Sequence, residues 1–120
     1  MKQLKLLTLT MGMLFMFSPK LEAKVVLINV FEVPEGKVNE AIKMWETART
    51  FLKAQPGYIS TELHQSLDNS ARFQLINVAE WEDAESFKNA TEAMKKSGNL
   101  PKIDGLVGNP SLYKIIKTDN

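Results

Sequence analysis

The tetrapeptide Leu-Ile-Asn-Val occurs twice in the chain, at residues 27–30 and again at residues 75–78. The first copy lies in the run VVLINVFEV (residues 25–33), which is rich in β-branched residues, and the second follows the residues ARFQ. Each run predicts a buried strand, and each leads into a segment whose apolar residues have helical spacing. Two such strand-to-helix units indicate the halves of one pseudo-symmetric domain. Four identical residues do not distinguish an ancient duplication from convergence on a good buried strand. We favour convergence.

The remaining patterns complete an alternation of strands and helices. Apolar residues three and four apart predict the first helix, QPG ends it, DNSA predicts a hairpin turn, and Asp83 is a candidate N-cap for the second helix. The predicted elements are a strand at 25–33, a helix at 37–54, strands at 58–67 and 72–80, a helix after Asp83 and a strand at 111–117. This order, β-α-β-β-α-β, predicts a ferredoxin-like α+β fold with a four-stranded antiparallel sheet.

Side chains alternate between the two faces of a strand, which sorts the residues of the predicted sheet. In both Leu-Ile-Asn-Val strands the odd-numbered residues are the more apolar, so we expect Asn29, Asn77 and Trp81 under the helices. In the intervening strand we expect Ile59, Leu63 and Leu67 on that side, with Glu62 and His64 on the other. The opposite face mixes apolar and charged residues, which is typical of the inside of a homodimer.

Residues 1–23 have the layout of a secretory signal peptide: a basic start, MKQLK, an apolar run, LLTLTMGMLFMF, and a small residue at the end. We expect cleavage between Ala23 and Lys24, which leaves a single domain of residues 24–120. The apolar run is shorter than the about 20 residues that span a membrane, although an uncleaved anchor is the alternative. The protein is therefore expected to be exported, periplasmic or secreted, without a stable membrane anchor.

Charge and cysteine content exclude several classes of function. The formal net charge is +1, and the leader carries +2 of it, so residues 24–120 carry −1. This balance gives no electrostatic reason to expect nucleic acid as a partner. The chain has no cysteine and one histidine, which argues against thiol chemistry, disulfides and a protein metal site.

The stretch from VVLINVFEVPEGKVNEAIKMWE through QPGYISTELHQSLDNSARFQLINVAEWEDAESF resembles the antibiotic biosynthesis monooxygenase family. The resemblance covers roughly residues 25–87. It implies a ferredoxin-like protomer that pairs through its sheet into a dimeric α+β barrel. It also implies, as in some members, oxygenation of an aromatic phenol or quinol without metal, flavin or haem.

The haem-degrading branch of that family can be compared position by position. The resemblance aligns its strand-one asparagine with Asn29, but its helix-two tryptophan falls at Ala90 and its haem-ligating histidine near Leu100. With one of three positions matched, haem degradation is disfavoured.

Five residues are candidates for the site. Asn29 and His64 are the catalytic candidates, Asn29 to orient substrate or oxygen and His64 as a general base, since its ordinary pKa is near neutrality. Asn77, Trp81 and Phe87 are the candidates for substrate binding. Four of them have a structural alternative: the asparagines could satisfy loop carbonyls or helix ends, His64 could pair with Glu62, Arg72 or a partner subunit, and Trp81 could anchor the core.

We therefore expect an exported oxygenase acting on an aromatic phenol or quinol-type small molecule with no cofactor. The alternatives are a non-catalytic binding protein for a hydrophobic small molecule and a dimer whose pocket is filled by its own side chains. A cavity that reaches Asn29 is required by the first two.

Overall fold

The computed structural model describes residues 24–120, and the predicted signal peptide of residues 1–23 lies outside them. The elements run in the predicted order: β1 (Val25–Glu32), α1 (Val38–Leu52), β2 (Tyr58–Gln65), β3 (Leu75–Trp81), α2 (Ala84–Ser97) and β4 (Val107–Tyr113). The four strands form one antiparallel sheet, which with the two helices gives the predicted ferredoxin-like α+β fold.

The two Leu-Ile-Asn-Val strands pair with each other in the centre of the sheet. The strand order is β2-β3-β1-β4, and the register of β1 with β3 sets Asn29 directly opposite Asn77. Leu27 lies opposite Ala79 in the same register. The identical tetrapeptides therefore meet as neighbouring antiparallel strands.

Both helices cover one face of this sheet, the face of the odd-numbered residues. Leu27, Ala79 and Trp81 are buried there together with Ala90 of α2. On α1, Ala41 is buried to the same degree as Ala90. The parity of β1 and β3 is therefore as predicted, because β strands alternate their side chains between the core and the opposite face.

The second strand departs from the expected parity at its start. A bulge between Tyr58 and Ser60 puts Tyr58 opposite Trp81 and leaves Ile59 38% exposed. A bulge inserts one residue into a strand. Side chains before the bulge therefore lie on the opposite face from the one that simple alternation predicts. Leu63 keeps the predicted side opposite Asn77, whereas Leu67 lies beyond the strand and is fully exposed. The expectation that Ile59 and Leu67 face the helices is wrong.

The connection between β2 and β3 is longer than the predicted hairpin turn, so β3 begins at Leu75 and not at residue 72. The side-chain amide of Gln74 donates to the carbonyls of Asp68, Asn69 and Ala71 at 3.1, 3.2 and 2.7 Å. These bonds hold the loop and replace strand pairing there.

The last strand lies earlier than predicted, at Val107–Tyr113 and not at residues 111–117. The sequence predicts a loop that includes Pro110, because residues 95–110 are rich in glycine and proline. However, β4 is an edge strand, where a missing N–H can face away from the sheet. Pro110 therefore pairs in register with Asn29.

The second helix begins as predicted. Asp83 Oδ1 accepts a hydrogen bond of 2.7 Å from the backbone N–H of Ser86, which caps the helix. That hydrogen bond, together with one from the Ser86 side chain, lowers the pKa of Asp83 below its ordinary value of 3.8. The helix ends at Gly98 in the left-handed conformation (φ 65°), which glycine adopts without steric penalty. Neither helix of residues 24–120 is long and apolar enough to cross a membrane.

Candidate ligand cavity

A cavity of about 350 Å³ lies between the sheet and the two helices. Four of the five predicted site residues line it: Asn29, Asn77, Trp81 and Phe87. Its volume is in the range of cavities that hold small organic ligands. The cavity reaches Asn29, so the prediction that this site is filled by the protein's own side chains is not supported in the described protomer.

Asn77 is held by two hydrogen bonds that both end on its carbonyl oxygen. The indole N–H of Trp45, on α1, donates to Asn77 Oδ1 at 3.0 Å, and the Thr61 hydroxyl, on β2, donates to it at 2.7 Å. Asn77 is only 9% exposed. Two donors on one oxygen determine which end of the amide is the carbonyl, so the NH₂ end is the part left for other contacts.

Asn29 is held in a similar way by the edge strand. The backbone N–H of Asn109 donates to Asn29 Oδ1 at 2.8 Å. Gly108 lies against the same side chain, and a Cβ atom there would come within 3.3 Å of Asn29 Oδ1. The absence of a side chain at Gly108 therefore gives the Asn29 amide its space.

The two carboxamides consequently present donors to the cavity. No acceptor for Nδ2 of Asn29 or Asn77 occurs among residues 24–120. No fully buried side-chain nitrogen or oxygen in this part of the chain lacks a partner, so the Asn77 NH₂ group must be open to the cavity. Two neighbouring N–H donors in an apolar cavity suit a ligand oxygen, and above all a negatively charged one.

Aromatic side chains form one wall of the cavity. Trp81, which is 1% exposed, makes edge-to-face contacts with Tyr58 and Phe87, with ring centroids 5.6 and 5.7 Å away. Tyr58 also lines the cavity, whereas Tyr113 is half exposed and pairs with Val26 on the other face. Trp81 is thus both a core anchor and a cavity wall, the two roles that the sequence left open.

His64 does not reach the cavity. It lies on the opposite face of the sheet, where its Nε2 is 3.5 Å from Glu62 and its Nδ1 is 3.3 Å from the carbonyl oxygen of Ile76. The predicted alternative of a Glu62 partner therefore describes its contacts. His64 is the chain's one histidine, so the described residues bring no imidazole into the cavity.

Two basic residues lie at the cavity, one on each helix. Arg49 of α1 stacks over the Trp45 ring, with its Cζ atom 5.4 Å from the ring centroid, and Lys95 belongs to the last turn of α2. No aspartate or glutamate lines the cavity among residues 24–120. Residues 24–120 also contain no group of three histidine or carboxylate side chains that could hold a metal ion.

An open groove adjoins the cavity between the C-terminal halves of the two helices. Ala48, Met94 and Leu100 line both spaces and so form the partition between them. A ligand that enters from the groove would pass these three side chains.

Several residues of the site were missed by sequence reasoning. Trp45 fits the apolar spacing of the first helix, and neither Thr61 nor Asn109 belongs to a motif that marks it as a site residue. Their importance depends on contacts with Asn77 and Asn29, and no local pattern signals it. Arg49 differs from these residues, because the sequence does indicate its contact. It lies four positions after Trp45, and residues four apart share a helix face.

A family model matches residues 24–95, and its description is antibiotic biosynthesis monooxygenase. Among solved structures, a candidate monooxygenase from Shewanella loihica PV-4 is similar at 46% identity and a TM-score of 0.76, covering 82% of this chain and 100% of its own. No curated protein matches the chain.

Two more distant structures share the fold. SnoaB, a cofactor-independent oxygenase from Streptomyces nogalater, is 21% identical with a TM-score of 0.63, and the match covers 81% of this chain and 97% of SnoaB. The haem-degrading MhuD from Mycobacterium tuberculosis, with two haems in its active site, is 18% identical with a TM-score of 0.62, and the match covers 80% and 99%.

Proposed function

Because the chain belongs to the antibiotic biosynthesis monooxygenase family, we propose that it is an oxygenase of an aromatic phenol or quinol-type compound that uses no bound cofactor. Family membership and the 46% identical candidate monooxygenase support a monooxygenase-type function. The aromatic substrate and the lack of a cofactor are the proposed part. SnoaB, which is a cofactor-independent oxygenase of the same fold, is consistent with them.

The observation that carries the proposal is the pair of amide donors in an apolar, aromatic-walled cavity. The Asn29 and Asn77 oxygens are already occupied, so their NH₂ groups are free to bind a ligand oxygen. Hydrogen bonds to a charged oxygen are stronger than those to a neutral one, above all where water is excluded. The pair therefore favours the deprotonated form of a phenol or of the enol of an anthrone.

The reaction needs no external reductant when the substrate itself supplies the electrons. With an anthrone, the ring CH₂ group becomes a carbonyl, one atom of O₂ enters the product and the other leaves as water with the two hydrogens. The substrate gives up four electrons and O₂ accepts four. The chain's own contribution is to bind the anion and to orient it.

No carboxylate or imidazole lines the cavity in residues 24–120, so the proposed role of the donor pair is to stabilise the substrate anion and not to accept its proton. Stabilisation of the anion lowers the pKa of the bound substrate, and the proton then leaves to solvent. Removal of one preorganised donor of this kind typically lowers the rate on the order of 10²–10³-fold.

Oxygen consumption with anthrone tests the proposal. We expect Asn29→Ala and Asn77→Ala to lower the rate by on the order of 100-fold each. Asn89→Ala, on the exposed side of α2, is the matched control and should retain the wild-type rate. Product identification as the quinone, with one ¹⁸O atom from ¹⁸O₂, would separate oxygenation from simple oxidation.

Equal rates for wild type and the two site variants would remove the asparagines from the mechanism. If the wild type binds anthrones and quinones but consumes no oxygen, the protein is the non-catalytic binding protein of the alternative hypothesis. Haem degradation is not proposed, because MhuD shares only the fold and the compared positions carry Ala90 and Leu100 here.

We also propose that two copies of the chain pair through the uncovered face of the sheet. Both described helices lie on the other face, and on this face five apolar side chains of the two central strands are only partly buried in the protomer. They are Val26, Ile28, Val30, Ile76 and Val78. Sedimentation that gives a dimer at micromolar concentration is the expected result, and a monomer would contradict it.

We propose, finally, that the protein is exported. The layout of residues 1–23 supports cleavage after Ala23, before the matched domain begins at residue 24. N-terminal sequencing of the protein recovered from its native cells should begin at or near Lys24. An intact Met1 on a protein retained in the cytoplasm would contradict export.

A further inference from the structure

Among residues 24–120, the charged side chains that line the cavity all carry the same sign. They are Arg49 and Lys95, which lie on different helices. The described domain has a formal net charge close to zero, so a positive cavity does not follow from its composition. A positive field in an apolar cavity favours an anionic ligand.

Neither of these two cations has a carboxylate partner within the part of the chain that the structure describes. The ion pairs within residues 24–120 join Lys24 to Glu80, Lys37 to Glu40, His64 to Glu62 and Arg72 to Glu32. Arg49 and Lys95 take part in none of them. Their charges are therefore available to a ligand.

Arg49 is connected to the donor pair through Trp45. Its guanidinium lies over the Trp45 ring, and the N–H of that ring donates to the Asn77 oxygen. The ring thus separates a cation on its exposed side from an amide at the sheet. The cavity is thus lined by two kinds of polar group, a donor pair on the sheet and two cations on the helices, and most of its other lining side chains are aromatic or aliphatic.

We propose that the ligand is an aromatic carboxylate, bound with its ring oxygen at Asn29 and Asn77 and its carboxylate at Arg49 and Lys95. This inference rests on the proposed function, since it names the substrate class of the same cavity. Arginine forms two parallel hydrogen bonds with a carboxylate, which also orients the ligand. The ring oxygen and the carboxylate then determine together which edge of the ring faces the sheet.

A binding experiment tests this independently of oxygen chemistry. The chain has two tryptophans, Trp45 and Trp81, and both line the cavity, so quenching of their fluorescence reports occupancy. The probes are anthraquinone-2-carboxylate and anthraquinone-2-carboxamide, which differ in charge and have nearly the same shape. We expect the carboxylate to bind about tenfold or more tightly than the amide, and to weaken more than the amide as salt is raised.

Variants assign the preference to the two cations. Arg49→Gln combined with Lys95→Gln should bind both probes equally, and Arg49→Lys should keep part of the preference because it keeps the charge. Lys96→Gln is the matched control: it removes the same charge from the same last turn of α2, but Lys96 does not line the cavity. We expect it to leave the preference within about twofold of wild type.

The outcomes separate this inference from the proposed function. Equal binding of the two probes by the wild type, or a preference that survives in the double variant, overturns anion recognition and leaves the oxygenase proposal intact. If neither probe binds, the result overturns both the aromatic carboxylate inference and the proposed oxygenase function. A preference lost equally in Lys96→Gln would show a general surface charge effect and would also overturn the assignment.

Discussion

Asn29 and Asn77 lie directly opposite each other on the central antiparallel pair of strands, and both side chains project onto the face that the helices cover. Side chains of such cross-strand neighbours are about 5 Å apart at Cβ, close enough to contact one ligand atom together. Each carbonyl oxygen is bound by the protein and each NH₂ group is left to the cavity. The repeat in the sequence thus becomes a pair of donors in the fold.

The Thr61 hydroxyl should be needed to hold the Asn77 amide in its orientation. Thr61→Val removes one of the two donors to Asn77 Oδ1, and we expect it to lower oxygenation and to cost about 0.5–1.5 kcal/mol of stability. Thr61→Ser keeps the hydroxyl and is the matched control. Anthrone-dependent oxygen uptake and urea unfolding measure the two effects, and a Val variant as active as the Ser variant would contradict the assigned role.

Gly108 should be needed for the position of Asn29. Its replacement by alanine puts a Cβ atom 3.3 Å from Asn29 Oδ1 and 3.4 Å from the Phe31 ring, so the amide must move. We expect Gly108→Ala to lower the oxygenation rate while the protein stays folded by circular dichroism. Val107→Ala, next to it on the edge strand and half exposed, is the control. Unchanged kinetics in Gly108→Ala would show that the exact place of the Asn29 amide does not matter.

Gly57 should be much less tolerant of alanine than Gly36. Both have positive φ, 87° and 78°, so either substitution carries the strain of a left-handed residue, about 1–2 kcal/mol. A Cβ at Gly57 would also collide with the Ser86 side chain, whereas nothing lies within 4 Å of one at Gly36. The melting temperature of Gly57→Ala should therefore be well below that of Gly36→Ala in thermal unfolding. Equal melting temperatures would mean that the start of α2 can shift freely.

The cap of α2 should make stability depend on pH. The pKa of Asp83 is lowered in the folded protein, first by the hydrogen bond from the Ser86 backbone, so folding is favoured when Asp83 is ionised. That contribution is present above the ordinary pKa of 3.8 and is lost as the pH falls through the lower folded value. Asp83→Asn keeps a capping oxygen but does not titrate.

The measurement is the stability difference between wild type and Asp83→Asn as a function of pH. We expect the advantage of the wild type to be constant near neutrality and to shrink below about pH 4, in denaturant titrations at several pH values. An advantage that stays the same at pH 3 would show that Asp83 is not the titrating group. Asp83→Ala, which removes the cap, should be the least stable variant at neutral pH.

Most of the fold could be predicted from local patterns. The alternation of β1 and β3, the helical spacing around Ala41 and the cap at Asp83 each depend on neighbours along the chain, and all three were confirmed. The predictions failed where the sheet changed the local rule. A bulge at Ile59 shifted the parity, and an edge position made Pro110 acceptable in a strand.

The sequence by itself determined the order of elements, the face on which Asn29 and Asn77 lie, and the family resemblance, because strand parity and helical spacing are short-range properties. Only the tertiary structure decided what those asparagines do. Asn77 receives its bond from Trp45, 32 residues away, and Asn29 from the backbone of Asn109, 80 residues away. Such bonds form when distant segments pack together, and they turn two polar residues of buried strands into oriented donors.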